Sequence, residues 1–131
     1  MNNREGSPGN TGADRRETGQ HMEGVAARYL QKQGIGIIDQ NVFSRGGEID
    51  LVGRDGDTIV FFEVRYRSRG SLVGAAESIS WRKQQRMLRA ASYYIHRHQL
   101  WNYNCRIDVI AVAPGVTARY NIRWIKNAIQ A

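Results

Sequence analysis

Between residues 45 and 67 the chain reads RGGEIDLVGRDGDTIVFFEVRYR, which sets Glu48, Asp50 and Glu63 beside the cations Arg65 and Arg67. Asp55-Gly56 is a strong hairpin-turn dipeptide between two runs of strand character, so the segment folds back on itself. With those two residues at the centre of the turn, cross-strand partners have numbers summing to 111, which puts Glu48 opposite Glu63 and Asp50 opposite Phe61. Strand side chains alternate, so Glu48, Asp50, Phe61, Glu63 and Arg65 project from one face. Asp50 and Glu63 are then diagonal neighbours, with Cβ atoms about 7 Å apart. That spacing suits two carboxylates sharing one divalent ion.

Like charges facing each other across strands are destabilising, and Ile59 and Phe61 on the same face imply partial burial, where an unbalanced carboxylate is costly. Two compensations are open. Arg65 and Arg67 can pair with the acids, or a cation can bind among them. Carboxylate oxygens are the ligands Mg²⁺ (or Mn²⁺) prefers, and its retained waters can attack a phosphodiester.

The flanking elements must hold this hairpin in place. Residues 1–18 are rich in Gly, Asn, Ser and Pro, cannot repay the entropy of ordering, and are expected to form a disordered tail. Residues 19–131 are expected to be a single domain. Met22, Val25, Ala26, Tyr29 and Leu30 recur at helical spacing before Gly34. Glu23 lies at the margin of that helix's packing face, either as a pocket acid or as a helix-start carboxylate favoured by the dipole. Strands are expected over 35–43, 48–54 and 58–67, then a mobile loop over 68–78. A long helix over 80–100 turns Trp81, Leu88, Ala91 and Ile95 inward. A strand over 105–113, a short edge strand over 120–124 and a closing helical turn over 125–129 complete the order αβββαβ. This is an α/β fold with a mixed sheet flanked by helices.

The tail balances Arg4, Arg15 and Arg16 against Glu5, Asp14 and Glu17 (3 − 3 = 0), so the formal +7 falls entirely on residues 19–131. Of nineteen Lys and Arg residues only Lys32, Lys83 and Lys126 are lysines. Arginine's planar fork suits phosphate, and the balance points to nucleic acid. Arg82, Arg86 and Arg89, at i, i+4 and i+7 with Lys83 beside them, form either a phosphate track or a solvated helix face. His96 and His98 read as surface residues, and Trp81 and Trp101 as core or helix-end packing. Asp108 reads either as a further pocket acid or, the preferred reading, as a strand residue pairing with Arg106 or Arg123. The lone Cys105 is expected to pack as a small buried hydrophobe. With no apolar leader and no apolar run of membrane-spanning length, the expectation is a cytoplasmic protein with no membrane contact.

EGVAARYL around Glu23, NVFSRGGEIDLV, FFEVRYR, Lys83, IDVIAV and WIKNAI together resemble the YraN-like family of uncharacterised bacterial proteins. These are predicted endonucleases of the PD-(D/E)xK superfamily, related to archaeal Holliday junction resolvases. The resemblance implies a restriction-endonuclease-like fold and a metal-dependent endonuclease acting on DNA, including branched or damaged DNA. It implies Asp50 and Glu63 as metal ligands, Glu48 as a neighbouring acid, and Glu23 as a further ligand through water. Catalysis would then involve Asp50, Glu63, Arg65 and Glu23, with Arg67, Arg82, Lys83, Arg86 and Arg89 contacting nucleic acid, and a homodimer as the expected assembly. The superfamily's lysine position is Arg65 here. Arginine stays protonated, so the alternative is a non-catalytic nucleic-acid-binding or adaptor protein retaining the nuclease fold.

Overall fold

The computed structural model describes residues 12–44, 46–68 and 72–130, with side chains from Thr18 onward. The elements follow in the order α1 (Gly12–Lys32), β1 (Gly36–Ser44), β2 (Gly47–Asp55), β3 (Thr58–Tyr66), α2 (Trp81–Arg97), β4 (Asn104–Pro114) and β5 (Tyr120–Ile129). The strands form one sheet in the order β1-β2-β3-β4-β5. Only β3 and β4 are parallel, because the chain crosses between them through α2.

Each helix covers one face of the sheet. Met22, Val25, Ala26 and Leu30 of α1 pack on Leu51, Val60, Phe62, Ile110 and Val112. Met87, Ala90, Ala91 and Tyr94 of α2 pack on Val52, Ile59, Phe61, Ile107 and Val109. A strand covered on both sides needs apolar residues at every position, and Ile107 through Ala113 in β4 are all buried.

Four expectations change. Helix α1 starts at Gly12, so residues 12–18 are helical; adding residues to a helix already nucleated by tertiary packing costs little. The tail reading for residues 1–11 lies outside the described residues. The closing helical turn is absent, since β5 runs unbroken to Ile129. Ile125 and Ile129 looked helical by their spacing of four, but a bulge resets the strand alternation: Asn127 adopts a left-handed φ of 54° and the β4–β5 register shifts between Ile107 and Val109. Cys105 is exposed, its thiol donating to the Tyr103 carbonyl at 3.6 Å, because β4 begins beyond the cover of α2. Trp81 is likewise exposed, since the first residue of α2 overhangs the core. A similar register shift marks β1, between Ile37 and Asp39.

Asp108, fully buried, fastens the β5 bulge. Its carboxylate accepts from Arg106 Nε at 3.1 Å, Trp124 Nε1 at 2.8 Å and the Asn127 amide at 2.7 Å, while Arg106 reaches on to Asp55 at 2.8 Å. This bears out the pairing with Arg106. Removing the acceptor leaves three donors without their partner around a fully buried position. Asp108→Ala should therefore cost about 3–5 kcal/mol of stability in urea denaturation, and a loss below about 1 kcal/mol would show the network to be dispensable.

Candidate active site

The carboxylates gather where the β2–β3 ladder ends. Asp55 pairs with Thr58 and Leu51 with Phe62, so Gly56 and Asp57 are the central turn residues, one step later than the dipeptide suggested. A shift of two in the partner sum preserves which face each side chain takes, as far as the ladder runs. The last regular pair is Leu51↔Phe62; beyond it, Asp50 Oδ2 accepts the Val64 amide proton at 2.8 Å, closing the ladder with a side chain.

The alternation of β2 also breaks here. Ile49 joins the α2 cluster, whereas Leu51, two residues on, joins the α1 cluster. Asp50 sits at this break and interacts with acids on both sides, Glu23 from α1 and Glu63 from β3.

Glu63 is 3% exposed, and burial followed by the Asp50 charge pushes its pKa up to about 7. Glu23 is raised to about 7 for the same two reasons, with Glu48 adding repulsion and Asn41 a hydrogen bond that opposes the shift. Its Oε1 is buried with no hydrogen-bond partner. Burial and like charge thus act together on both acids.

Lys83 Nζ lies 3.3 Å from Glu63 Oε2, and Arg65 Nη1 lies 3.7 Å from the same oxygen. Arg65 Nη2 meanwhile reaches the Ser78 carbonyl at 3.4 Å and hydroxyl at 3.3 Å, bracing the segment before α2. Lys83, expected in the phosphate ridge, thus stands against the buried acid. Its place depends on Gly46 and Gly47. Gly46 has a φ of 87°, disfavoured for side chains, and a Cβ at Gly47 would collide with the Arg86 carbonyl. The pair lets α2 lie directly on the start of β2.

Glu48 is exposed and lines a hollow of about 320 Å³ with Lys83 and Arg86. It acts on Glu23 by charge and is not drawn into the buried group. Arg82, Arg86 and Arg89 are exposed along α2, while Arg67 is partly buried beyond the end of β3. Neither Phe43, in the same hollow, nor Asn41, which reaches Glu23, stood out in the sequence. The one signal for Asn41 is its residue type, which tolerates the φ of 52° it adopts.

Among the described residues, no three His, Cys, Asp or Glu side chains converge to hold a metal ion. A hard cation such as Mg²⁺ needs less, since it is held by one or two carboxylates plus waters and phosphate oxygens. Asp50, Glu63 and the unpartnered oxygen of Glu23 fit that requirement.

A mixed sheet between two helices, with paired carboxylates at the end of its central hairpin, belongs to the restriction-endonuclease-like class of α/β folds. The chain belongs to the uncharacterised protein family UPF0102, whose profile matches residues 22–112. That span takes in Glu23, Asp50, Glu63 and Lys83, and stops before β5. A UPF0102 protein of Marinobacter nauticus is 60% identical over 116 residues, 88% of this chain and 94% of its own. One from Pseudomonas syringae pv. syringae is 43% identical over 120 residues, 89% of this chain and 96% of its own. One from Stutzerimonas stutzeri is 40% identical over 121 residues, covering 91% and 99%. No helix among the described residues is long and apolar enough to cross a membrane.

The raised acids make stability depend on pH in a defined direction. A carboxyl with a pKa near 7 when folded and 4.5 ordinarily holds its proton more tightly in the folded state. Its stabilising contribution is complete below about pH 4.5 and is lost as pH rises to about 7. The urea midpoint should fall across this window. Asp50→Asn keeps an acceptor for the Val64 amide while removing the repelling charge, so it should flatten the fall in part, burial being the larger cause, and leave stability above neutrality equal or higher. A marked loss of stability in this variant would make Asp50 a structural ion-pair partner.

Proposed function

We propose that this UPF0102 protein is a metal-dependent phosphodiesterase acting on nucleic acid, DNA by its likeness to resolvases. The observation that carries the reading is the buried Glu63 beside the half-buried Asp50, held against mutual repulsion with the amine of Lys83 at 3.3 Å from Glu63. A fold gains nothing from burying that repulsion; a site that receives a cation does.

Asp50, Glu63 and Glu23 would hold Mg²⁺ or Mn²⁺. When bound, such an ion supplies a water acidic enough to become a nucleophile and polarises a phosphoryl oxygen. The protein's part is positioning. Glu63 is immobilised by burial and by Lys83, and Asp50 by its bond to the Val64 amide. Lys83 is the group that can orient the attacking water or hold a non-bridging phosphate oxygen, while Arg65 ties the segment before α2 to the site. Arg82 and Lys83 occupy the first turn of α2, where no acid is present. Cations there oppose the helix dipole, and an incoming phosphate offsets the conflict. Arg82, Arg86 and Arg89 then serve as backbone contacts.

A second reading, a nucleic-acid-binding protein that does not cut, draws on the fact that Lys83 and Arg65 both already neutralise Glu63. Cleavage of labelled DNA with Mg²⁺ or Mn²⁺ separates the two. Asp50→Asn and Glu63→Gln should abolish cleavage while leaving binding in place. Lys83→Ala should lower cleavage by about a hundredfold or more, the cost typical of removing one preorganised electrostatic group, whereas Arg65→Lys should retain it. Tight binding without any metal-dependent cleavage would leave only the second reading.

A further inference from the structure

Phe43 closes the edge strand β1 with a phenyl ring that is 69% exposed. The ring lines two hollows at once. The first, about 320 Å³, is the one it shares with Glu48, Lys83 and Arg86 beside the acids. The second, about 460 Å³, continues away from them and is lined by Tyr93, Arg97 and His98. Phe43 is therefore the wall that the two hollows share.

Helix α2 forms the other side of both hollows. Lys83, Arg86, Tyr93 and Arg97 stand at i, i+3, i+10 and i+14, a spacing that keeps them along one side of a helix. Tyr93 is 48% exposed, although a helix facing only water has no use for a tyrosine there. Lys83 to Arg97 spans about 21 Å at 1.5 Å per residue, the length of about six stacked nucleotides at 3.4 Å each. Two aromatic rings are flanked by cations along it: Lys83 and Arg86, then Phe43 and Tyr93, then Arg97 beside His98. Two acids border it. Asp39 is occupied by the Tyr94 hydroxyl at 3.3 Å, and Glu48 stands where the acid pocket begins.

A duplex presents phosphates and keeps its base faces stacked inside, so exposed rings along a cationic track would find nothing to stack on. A single strand presents both phosphates and base faces, and every base has a π-face to offer. We propose that one unpaired strand of nucleic acid runs from the acid pocket across Phe43 to Tyr93 and Arg97. This deepens the phosphodiesterase reading, on which the direction of the track depends, by making the substrate unpaired on the α2 side of the scissile phosphate.

Fluorescence anisotropy on the full chain tests this at one fixed salt concentration, with labelled oligodeoxythymidine, labelled oligouridine and a blunt duplex of equal length. The intact protein should bind one of the single-stranded probes more tightly than the duplex. Phe43→Ala and Tyr93→Ala should each weaken that binding about five- to 150-fold, the effect of losing one base stack, and change duplex binding less than about twofold. Both side chains are on the surface, so circular dichroism should be unchanged, and Phe43→Trp should restore binding. Preference for the duplex, equal losses on all probes, or no loss would each overturn the track. Asp50→Asn keeps the two readings apart: selective single-strand binding with no metal-dependent cleavage in the intact protein sinks only the phosphodiesterase, and cleavage that Asp50→Asn abolishes but Phe43→Ala leaves intact on every probe sinks only the track.

Discussion

The backbone of α2 rests on Gly47, and the chemistry of the molecule is arranged around that contact. Any side chain at Gly47 would strike the Arg86 carbonyl and lift the helix off the sheet. With glycine there, α2 descends far enough for Lys83 to reach Glu63, and Arg86 and Phe43 come to share one hollow. Gly46 beside it takes a positive φ, which turns the chain into β2 under the Arg89 side chain. The two glycines before the acids are therefore a packing requirement with a functional result: they set the distance between a lysine on a helix and a glutamate on a strand.

The sheet supplies the second constraint. Its β2–β3 ladder is regular from the turn to Leu51↔Phe62 and stops where the acids meet. Asp50 caps the β2–β3 ladder with its own carboxylate, and β2 changes which residues face which helix around it. The same break lets a strand residue interact with a carboxyl from either layer. Burial raises the proton affinity of Glu63 and Glu23, and Asp50 raises it further. Stability is given up locally to hold charge close together, a trade expected at a functional site and expensive elsewhere.

Most of the architecture was legible because its signals are local. The hairpin, the two helices and β4 all carry the periodicity of what they bury, and the parity of the hairpin survived an error of one residue in the turn as far as Leu51, beyond which the alternation breaks. What was not legible depends on distant partners. Ile125 and Ile129 mimic a helix because the bulge at Asn127 is imposed by Asp108, nineteen positions away in the chain. Lys83 and Arg82 are adjacent cations in sequence, and only the descent of α2 onto Gly47 assigns one to Glu63 and the other to solvent. Trp81 has core composition but overhangs the sheet. The approach of Asp50 to Glu63 was legible in the hairpin alone, whereas the place of Phe43 was not, since it is set by the hollows on either side of it.

Both edge strands carry a left-handed asparagine and a shift of register, Asn41 in β1 and Asn127 in β5. A regular edge is a template onto which another chain can add strand by strand, and irregularities of this kind spoil it. Each edge of the sheet is consequently a poorer template for a further strand, and a second copy of the chain meets no regular ladder to continue. For a chain of formal charge +7, whose copies repel one another, the irregular edges add a second obstacle on the route from crowding to fibres.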